Sequence, residues 1–159
     1  MEVEVQYMNE LVQGGRELLD SVQPLWDKLN KHHEISSKIF PDKYRNKTFD
    51  VRKRKFAEEQ SLKVNIDLIK NSEKDLYIGY CISTLNKELA GEIDSLFIDE
   101  EYRELGLGDI LMNRALEWLD INNAKTKNIG VSEGNERVLE FYKRYGFYKR
   151  RVILEQINE

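Results

Sequence analysis

The sequence predicts an α/β protein in which a central, mostly antiparallel sheet contains one parallel strand pair and is flanked by helices. Two apolar runs, residues 62–69 and 76–85, are separated by the polar turn residues 71–75, and this pattern predicts a hairpin. Residues 92–98 alternate as a strand does, and a helical pattern and a short strand follow them. A strand, a helix and a second strand in this order predict a right-handed crossover and a parallel pair.

Composition sets the broad class of the protein. The 159 residues predict a single domain, 1–159, and 40% hydrophobic with 34% charged residues is typical of a soluble globular protein. The net charge of −4 argues against general nucleic-acid binding. With one cysteine, Cys81, neither a disulfide framework nor a Cys/His metal cluster can form, so we expect no metal and a cytoplasmic location. No apolar run approaches membrane-spanning length, and no membrane partner is expected.

The first third of the chain predicts one strand and a long helix. Residues 2–8 alternate between apolar and polar side chains, which indicates a strand with one buried face. From Gly15 to about Lys31 the apolar residues have helical spacing, and Pro24 predicts either a kink or two shorter helices. His32 and His33 follow, and a solvated helix end is the favoured interpretation of this pair.

A loop and a second helix are predicted next. Residues 40–42, Phe-Pro-Asp, indicate a loop, and Thr48 or Asp50 can cap a helix that extends to about Gln60. This helix carries the basic run 52–55. Four basic residues on one turn point in four directions, so a solvated face is favoured over a nucleic-acid site or a contact with phosphates or an acidic substrate.

The segment 92–119 predicts a strand, a glycine turn and an amphipathic helix. In the strand, Ile93, Ser95 and Phe97 are expected on one face, with Glu92, Asp94, Leu96 and Ile98 on the other. After the turn, one helical face is apolar, and its residues are Leu107, Ile110, Leu111, Ala115, Trp118 and Leu119.

The glycine turn therefore lies at a helix N-terminus, where free N–H groups and the helix dipole favour phosphate. A P-loop would need Lys-Ser/Thr directly after Gly108, but Asp109 and Ile110 stand there. A dinucleotide fingerprint needs three glycines, and this turn has two. An ordinary helix start after an acidic turn is the remaining structural alternative.

The C-terminal part predicts a strand at residues 128–131, a helix of about three turns and a final strand at residues 147–155. Asn135 suits the helix N-cap, and Gly146 suits its C-terminal stop. Asn135 and Tyr142 are seven residues apart, so a helix would place them along one line, roughly 10 Å apart.

The pattern Arg103-x-x-Gly106-x-Gly108 resembles the acyl-CoA pyrophosphate loop of the GNAT superfamily of N-acyltransferases. The preceding strand and the later pattern of Asn135, Tyr142 and Tyr145-Gly-Phe are also similar to that family's motifs. This resemblance implies a GNAT-like fold and an N-acetyltransferase that uses acetyl-CoA as acyl donor. The acceptor would be a primary amine of a small molecule or peptide.

The resemblance also implies which residues bind the cofactor: Leu96, Phe97, Ile98, Arg103, Glu104, Leu105, Gly106, Leu107, Gly108, Asp109, Asn135 and Tyr142. Many family members have glycine where this chain has Glu104. We expect the acidic side chains of the turn, Glu100, Glu101, Glu104 and Asp109, to point to solvent while the main chain binds.

The catalytic roles implied by the resemblance fall on two residues. Tyr142 would give a proton to the leaving thiolate, and main-chain N–H groups near Phe97 and Ile98 would meet the oxyanion. Glu92 matches the position of a glutamate base in some members. Glu92 is expected to act as the base, either through water or with a pKa raised by burial, or else to bind a cationic substrate together with Asp94.

The variable substrate segment of the family would involve four residues: Trp26, His32, His33 and Asp94. An alternative to the enzyme is a sensor or scaffold module that binds acyl-CoA without catalysis. Cys81 as an acyl carrier is disfavoured because nothing near it in sequence activates a thiolate. Exposed strand edges would permit a homodimer.

Overall fold

A computed structural model describes residues 9–158. These residues form a five-stranded sheet in the order β1-β2-β3-β4-β5. The strands are β1 Asn9–Gly14, β2 Lys63–Asn71, β3 Leu76–Leu85, β4 Ala90–Ile98 and β5 Thr126–Ile129. Pairs from β1 to β4 are antiparallel and β4–β5 is parallel, as the sequence predicts. The predicted strand at residues 2–8 lies outside the described residues, and the observed β1 was not predicted.

Helices α1 Leu19–Ser36 and α3 Phe49–Glu58 pack on one face of the sheet, and the short helix α2 Pro41–Arg45, which lies between them in the chain, packs on α1. A 3-10 turn, Arg16–Leu18, precedes α1, which is one helix despite Pro24. Pro24 lies in the second turn, where its missing N–H leaves one carbonyl of the first turn without a donor. Of the two alternatives predicted for Pro24, the division into two shorter helices is wrong, and the kink stays a prediction. The predicted loop at residues 40–42 is also wrong in part, because Pro41 begins α2, a position that suits its fixed φ.

The opposite face is covered by α4, Leu107–Ile121. Five of its side chains are buried: Leu107, Leu111, Met112, Ala115 and Leu119. All of these except Met112 belong to a cluster with β3 and β4 side chains such as Cys81 and Ile93, and each large buried side chain contributes about 1.5–3 kcal/mol of burial free energy. The predicted apolar helix face is confirmed.

A β-bulge in β4 breaks the predicted alternation. Ile82 pairs with Ser95 and Ser83 with Ile93, so Asp94 has no partner residue on β3. The extra residue shifts the side-chain pattern by one position. Ile93 consequently packs on the α4 face, whereas Phe97 packs on the α1 face. The prediction that these two residues share a face is wrong.

The C-terminal part differs most from the sequence prediction. Helix α5, Val138–Lys143, is shorter than the three turns predicted from Asn135, which lies one turn before it. Gly146 does end the helix, with φ 85° and hydrogen bonds from its N–H to Lys143 and from Phe147 to the Tyr142 carbonyl. The final strand predicted at residues 147–155 is wrong: residues 147–158 form no strand and pair with none of the five described strands. No helix within residues 9–158 is long and apolar enough to cross a membrane.

Candidate active site

The first part of the site is the start of α4. Gly106 precedes the helix with φ 78°, a left-handed conformation that glycine adopts without strain. Within residues 9–158, the main-chain N–H groups of Leu107, Gly108 and Asp109 donate to no protein acceptor. Three free donors at the positive end of a helix dipole form an anion-binding position.

Arginine side chains stand on two sides of this position. They line a cavity of about 250 Å³ together with the glycine turn and Phe141. Arg103 is held by a hydrogen bond from its Nε to the carbonyl of Ile98, 3.0 Å long, and lies over the Phe97 ring. Arg144 directly follows α5. It was not identified from the sequence, because only the packing of α5 against the glycine turn brings it to this cavity.

The acidic residues of the turn behave in two ways. Glu100, Glu101 and Glu104 are exposed, as predicted. Asp109 does not simply point to solvent: its carboxylate accepts a hydrogen bond from the Tyr145 hydroxyl and pairs with Arg144 at 3.0 Å. Its charge is thereby partly neutralised. Glu104 has φ 65°, so it occupies the left-handed region in which a glycine would be unstrained.

A second cavity, of about 170 Å³, opens where β4 and β5 part. The parallel pairing of β4 and β5 ends at Ile93 and Ile129. The residues that follow these two positions in the sequence line the cavity. Asn135 and Tyr142 line it from the α5 side. The two cavities adjoin along the same elements, since Leu96 and Ile98 are neighbours on β4 and Phe141 and Tyr142 are consecutive in α5.

Burial raises the pKa of Tyr142 to about 12, with a smaller contribution from Cys81. Cys81 is fully buried between the sheet and α4, and burial raises the pKa of its thiol to about 12. A thiol with this pKa is protonated at neutral pH and unreactive. The cavity therefore contains a neutral phenol, and Cys81 lies outside its lining.

His33 lines the second cavity, although the favoured interpretation of the histidine pair was a solvated helix end. Its ring lies 5.2 Å from that of Tyr44, and its buried Nδ1 has no hydrogen-bond partner among residues 9–158. Burial lowers the pKa of His33 to about 4, and the neighbouring charges of His32 and Lys47 add to this effect. The imidazole is therefore neutral at pH 7. His32 does not line the cavity.

Arg52 also lines this cavity, so the prediction that the whole basic run 52–55 forms a solvated face is wrong for this residue. Its guanidinium pairs with Asp94 and lies over the Phe56 ring, 5.0 Å from the ring centroid. The side chains of Arg52 and Asp94 are 21% and 6% exposed, so water screens this pair only weakly. Because the partners are about 40 residues apart, no local pattern predicted their contact.

The loop before α5 holds the two sides of the second cavity together. One carboxylate oxygen of Glu133 accepts hydrogen bonds from the N–H groups of Lys38 and Ile39, at 3.1 and 3.0 Å. Gly134 approaches the end of α1 so closely that a Cβ would lie 2.2 Å from the Ser36 carbonyl oxygen. Glycine is thus required for the loop to contact α1.

The structure brings most of the predicted site residues to the two cavities. Those lining them are Trp26, His33, Asp94, Leu96, Ile98, Arg103, Glu104, Gly106, Leu107, Gly108, Asp109, Asn135 and Tyr142. Glu92, His32, Phe97 and Leu105 line neither cavity. Glu92 is exposed on β4, and its charge acts on Arg52. Within the described residues, no three His, Cys, Asp or Glu side chains gather as a metal site.

Comparison with known proteins adds family membership to this geometry. The model of the Acetyltransferase (GNAT) family matches residues 29–147. An uncharacterised N-acetyltransferase of Methanocaldococcus jannaschii is 33% identical over 72 residues, which are 45% of this chain and 32% of the relative. The chain spans less than half the length of the curated relatives it matches.

Solved structures share the fold. A Pyrococcus furiosus protein assigned as an acetyl transferase superposes with a TM-score of 0.70 at 19% identity, covering 94% of this chain and 99% of that one. The aminoglycoside N-acetyltransferase AAC(6')-Iy, solved in complex with CoA, gives 0.63 at 14% identity and covers 94% of both chains. The family match, the sheet with its single parallel pair and the glycine turn agree, and the chain belongs to the Acetyltransferase (GNAT) family.

Proposed function

We propose that the protein transfers an acetyl group from acetyl-CoA to a primary amine by direct attack in a ternary complex. One observation carries the proposal. An anion-binding helix start adjoins, along β4 and α5, a cavity that contains a buried phenol and ends at a second group of polar side chains. A ligand with a diphosphate at one end and a reactive thioester at the other suits this order of environments.

The residues present fit acyl-CoA. The free N–H groups of residues 107–109 and the side chains of Arg103 and Arg144 would hold the diphosphate. Gly108 lets the start of α4 lie close to Phe141, because a Cβ at this position would lie 3.4 Å from the Phe141 ring. Asn135 lies where an amide-bearing arm would pass toward Tyr142. A neighbour of the same fold was solved with CoA. When bound, acetyl-CoA supplies the acetyl group as a thioester.

The acceptor amine needs a base, because an amine of lysine type has a pKa of about 10.4 and is protonated at neutral pH. Asp94 is engaged by Arg52, which makes it a poor proton acceptor. Glu92 is exposed and outside the cavity lining, so we assign it the role of a base that acts through water. Binding of a cationic substrate by Glu92 is the alternative role.

Main-chain donors of β4 would stabilise the oxyanion. Asp99 donates its N–H to the carbonyl of Ile78 on β3, at 2.8 Å. Since the direction of main-chain groups alternates along a strand, the N–H groups of Leu96 and Ile98 point away from β3, toward the cleft, whereas that of Phe97 points to β3. We therefore assign the oxyanion position to Leu96 and Ile98 and not to Phe97.

Tyr142 would donate its hydroxyl proton to the sulfur as the carbon–sulfur bond breaks. In water, a phenol with a pKa of about 12 is a weak acid for a thiolate whose conjugate acid has a pKa near 8.5. Burial acts on a thiolate in the same cavity as well, as it does on Cys81, whose thiol pKa is about 12. The two groups are therefore better matched inside the protein than in water.

Release of free thiol from acetyl-CoA tests the proposal. The panel of acceptors should include polyamines, amino acids, aminoglycosides and lysine peptides, and calorimetry should record CoA binding in parallel. We expect thiol release with at least one class of amine. CoA binding without release for any amine would favour a sensor or scaffold module of the same fold and would contradict the enzymatic proposal.

A further inference from the structure

The charges of the second cavity indicate the class of acceptor. The helical segment between β1 and β2 contributes the polar lining residues Asn30, His33, Tyr44, Lys47 and Arg52, whereas Tyr142 comes from α5. Asp94 is the only carboxylate among its lining residues, and Arg52 already pairs with it. With His33 neutral, the positive charge of Lys47 is left uncompensated in the lining.

Lys47 has no carboxylate within 4 Å of its Nζ among residues 9–158. Burial lowers the pKa of Lys47, and the positive charges of Arg52, Lys55 and Lys43 lower it further. These three neighbours therefore add to the positive potential around Lys47. An anion placed between Lys47 and Arg52 would relieve this repulsion and would accept charge-assisted hydrogen bonds.

The main chain of Lys47 is held in place by hydrogen bonds from α1. The side-chain amide of Asn30 donates to the carbonyl of Tyr44 at 2.7 Å and to that of Lys47 at 3.4 Å. The N–H of Lys47 in turn bonds the Tyr44 carbonyl at 3.3 Å. The lysine is therefore anchored at the cavity rim by α1 and does not extend from a free loop.

We propose that the acceptor is a small amine that also carries an anionic group, a carboxylate or a phosphate, which Lys47 and Arg52 bind while the amine faces Tyr142. This inference rests on the proposed function. The cavity volume of about 170 Å³ also lies below the usual range for drug-sized ligands, which suits a small acceptor.

The same charges disfavour polycationic acceptors. A diamine or an aminoglycoside has at least one further ammonium group, and this group needs a carboxylate or several carbonyls where it binds. Among residues 9–158 the lining offers only the carboxylate of Asp94, and taking it would leave Arg52 without its ion-pair partner. Glu92, whose charge acts on Arg52, lies outside the lining. Specificity would thus come from repulsion by Lys47 and Arg52 as well as from attraction.

Matched acceptors test the inference. Thiol release from saturating acetyl-CoA is measured with ω-amino carboxylates from glycine to aminohexanoate, with aminoethyl phosphate, and with the amides and diamines of the same lengths. We expect the best anionic acceptor to exceed its amide in kcat/KM by about tenfold or more, and its diamine by a larger factor. The preference should decrease as salt is added.

Variants assign the preference to Lys47. Lys47→Gln should abolish most of it, and Lys47→Glu should shift it toward diamines. Lys53→Gln is the matched control, because Lys53 belongs to the same basic region but pairs with Asp20 at 2.5 Å and does not line the cavity. It should leave the preference within about twofold.

Equal kcat/KM for anionic and neutral acceptors, or a preference that survives Lys47→Gln, would overturn the inference while leaving the transferase proposal intact. If no amine releases thiol, the transferase proposal fails. The acceptor inference is then tested by calorimetry with the CoA-loaded protein. Amino carboxylates or aminoethyl phosphate that bind no better than diamines would overturn it independently.

Discussion

Substitution of Tyr142 by phenylalanine removes the hydroxyl proposed to protonate the leaving thiolate and keeps the ring that lines the cavity. General acid catalysis contributes about 10²–10⁴-fold, so we expect kcat to fall by that factor. The KM for acetyl-CoA should change only a few-fold, because the diphosphate position at α4 is untouched. Initial rates of thiol release at saturating acceptor measure both constants.

The magnitude depends on how well the two acids are matched. If the thiol kept its solution pKa near 8.5, transfer from a phenol at about 12 would cost roughly 5 kcal/mol, at 1.36 kcal/mol for each unit. Tyr142 would then contribute little. Burial in the cavity would raise the pKa of the leaving thiol, as burial raises that of the Cys81 thiol, and would thereby reduce this cost. A large loss on substitution is the expected result.

The pH profile follows from the same value. A phenol acting as an acid must be protonated, and with its pKa raised to about 12 Tyr142 stays protonated throughout the range from pH 7 to 10. We expect no decline in kcat from Tyr142 in that range. Tyr148→Phe is the control, since Tyr148 is 74% exposed, and its kcat should stay within twofold. Wild-type kcat in Tyr142→Phe would refute the proton-donor role.

Five further substitutions, grouped into three tests, probe the fold around the site by urea unfolding. Glu104→Gly should leave the free energy of unfolding equal or raise it by up to about 1 kcal/mol, because it removes a glutamate from the left-handed region (φ 65°). Gly106→Ala places a side chain at φ 78° and should cost about 1 kcal/mol. The opposite signs would contradict the turn geometry. Tyr80→Phe should cost at most about 1 kcal/mol, because the buried hydroxyl interacts with the Ser95 side chain but makes no hydrogen bond of ordinary length and angle among residues 9–158; a larger loss would contradict this account. Leu111→Ala should cost about 2–5 kcal/mol and Ile121→Ala, at a position 71% exposed, under about 0.5 kcal/mol; equal losses would contradict the α4 packing.

Features encoded over a short stretch of sequence were predictable. The hairpin of β2 and β3, the apolar face of α4 and the glycine turn before it depend on periodicity and on residues close together in the chain. The anion position at the helix start follows from the same local pattern. These elements agree with the prediction because their own residues determine their conformation.

Features that depend on distant partners were not predictable. The bulge at Asp94 arises from the pairing of β4 with β3, and it reverses the faces of the preceding residues. Arg52 lines the cavity because it forms an ion pair with Asp94, about 40 residues later in the chain. The final strand predicted at residues 147–155 has suitable side chains, but no strand in the described part of the chain pairs with it. A strand needs a partner that its own sequence does not specify.

The most direct test of the central claim is an NMR titration of the labelled protein with CoA, followed at the main-chain amides of Leu107, Gly108 and Asp109. If these free donors hold the diphosphate, their signals should shift saturably with CoA and much less with pantetheine, which lacks the diphosphate. Unshifted signals at all three residues, with CoA at saturating concentration, would contradict the account.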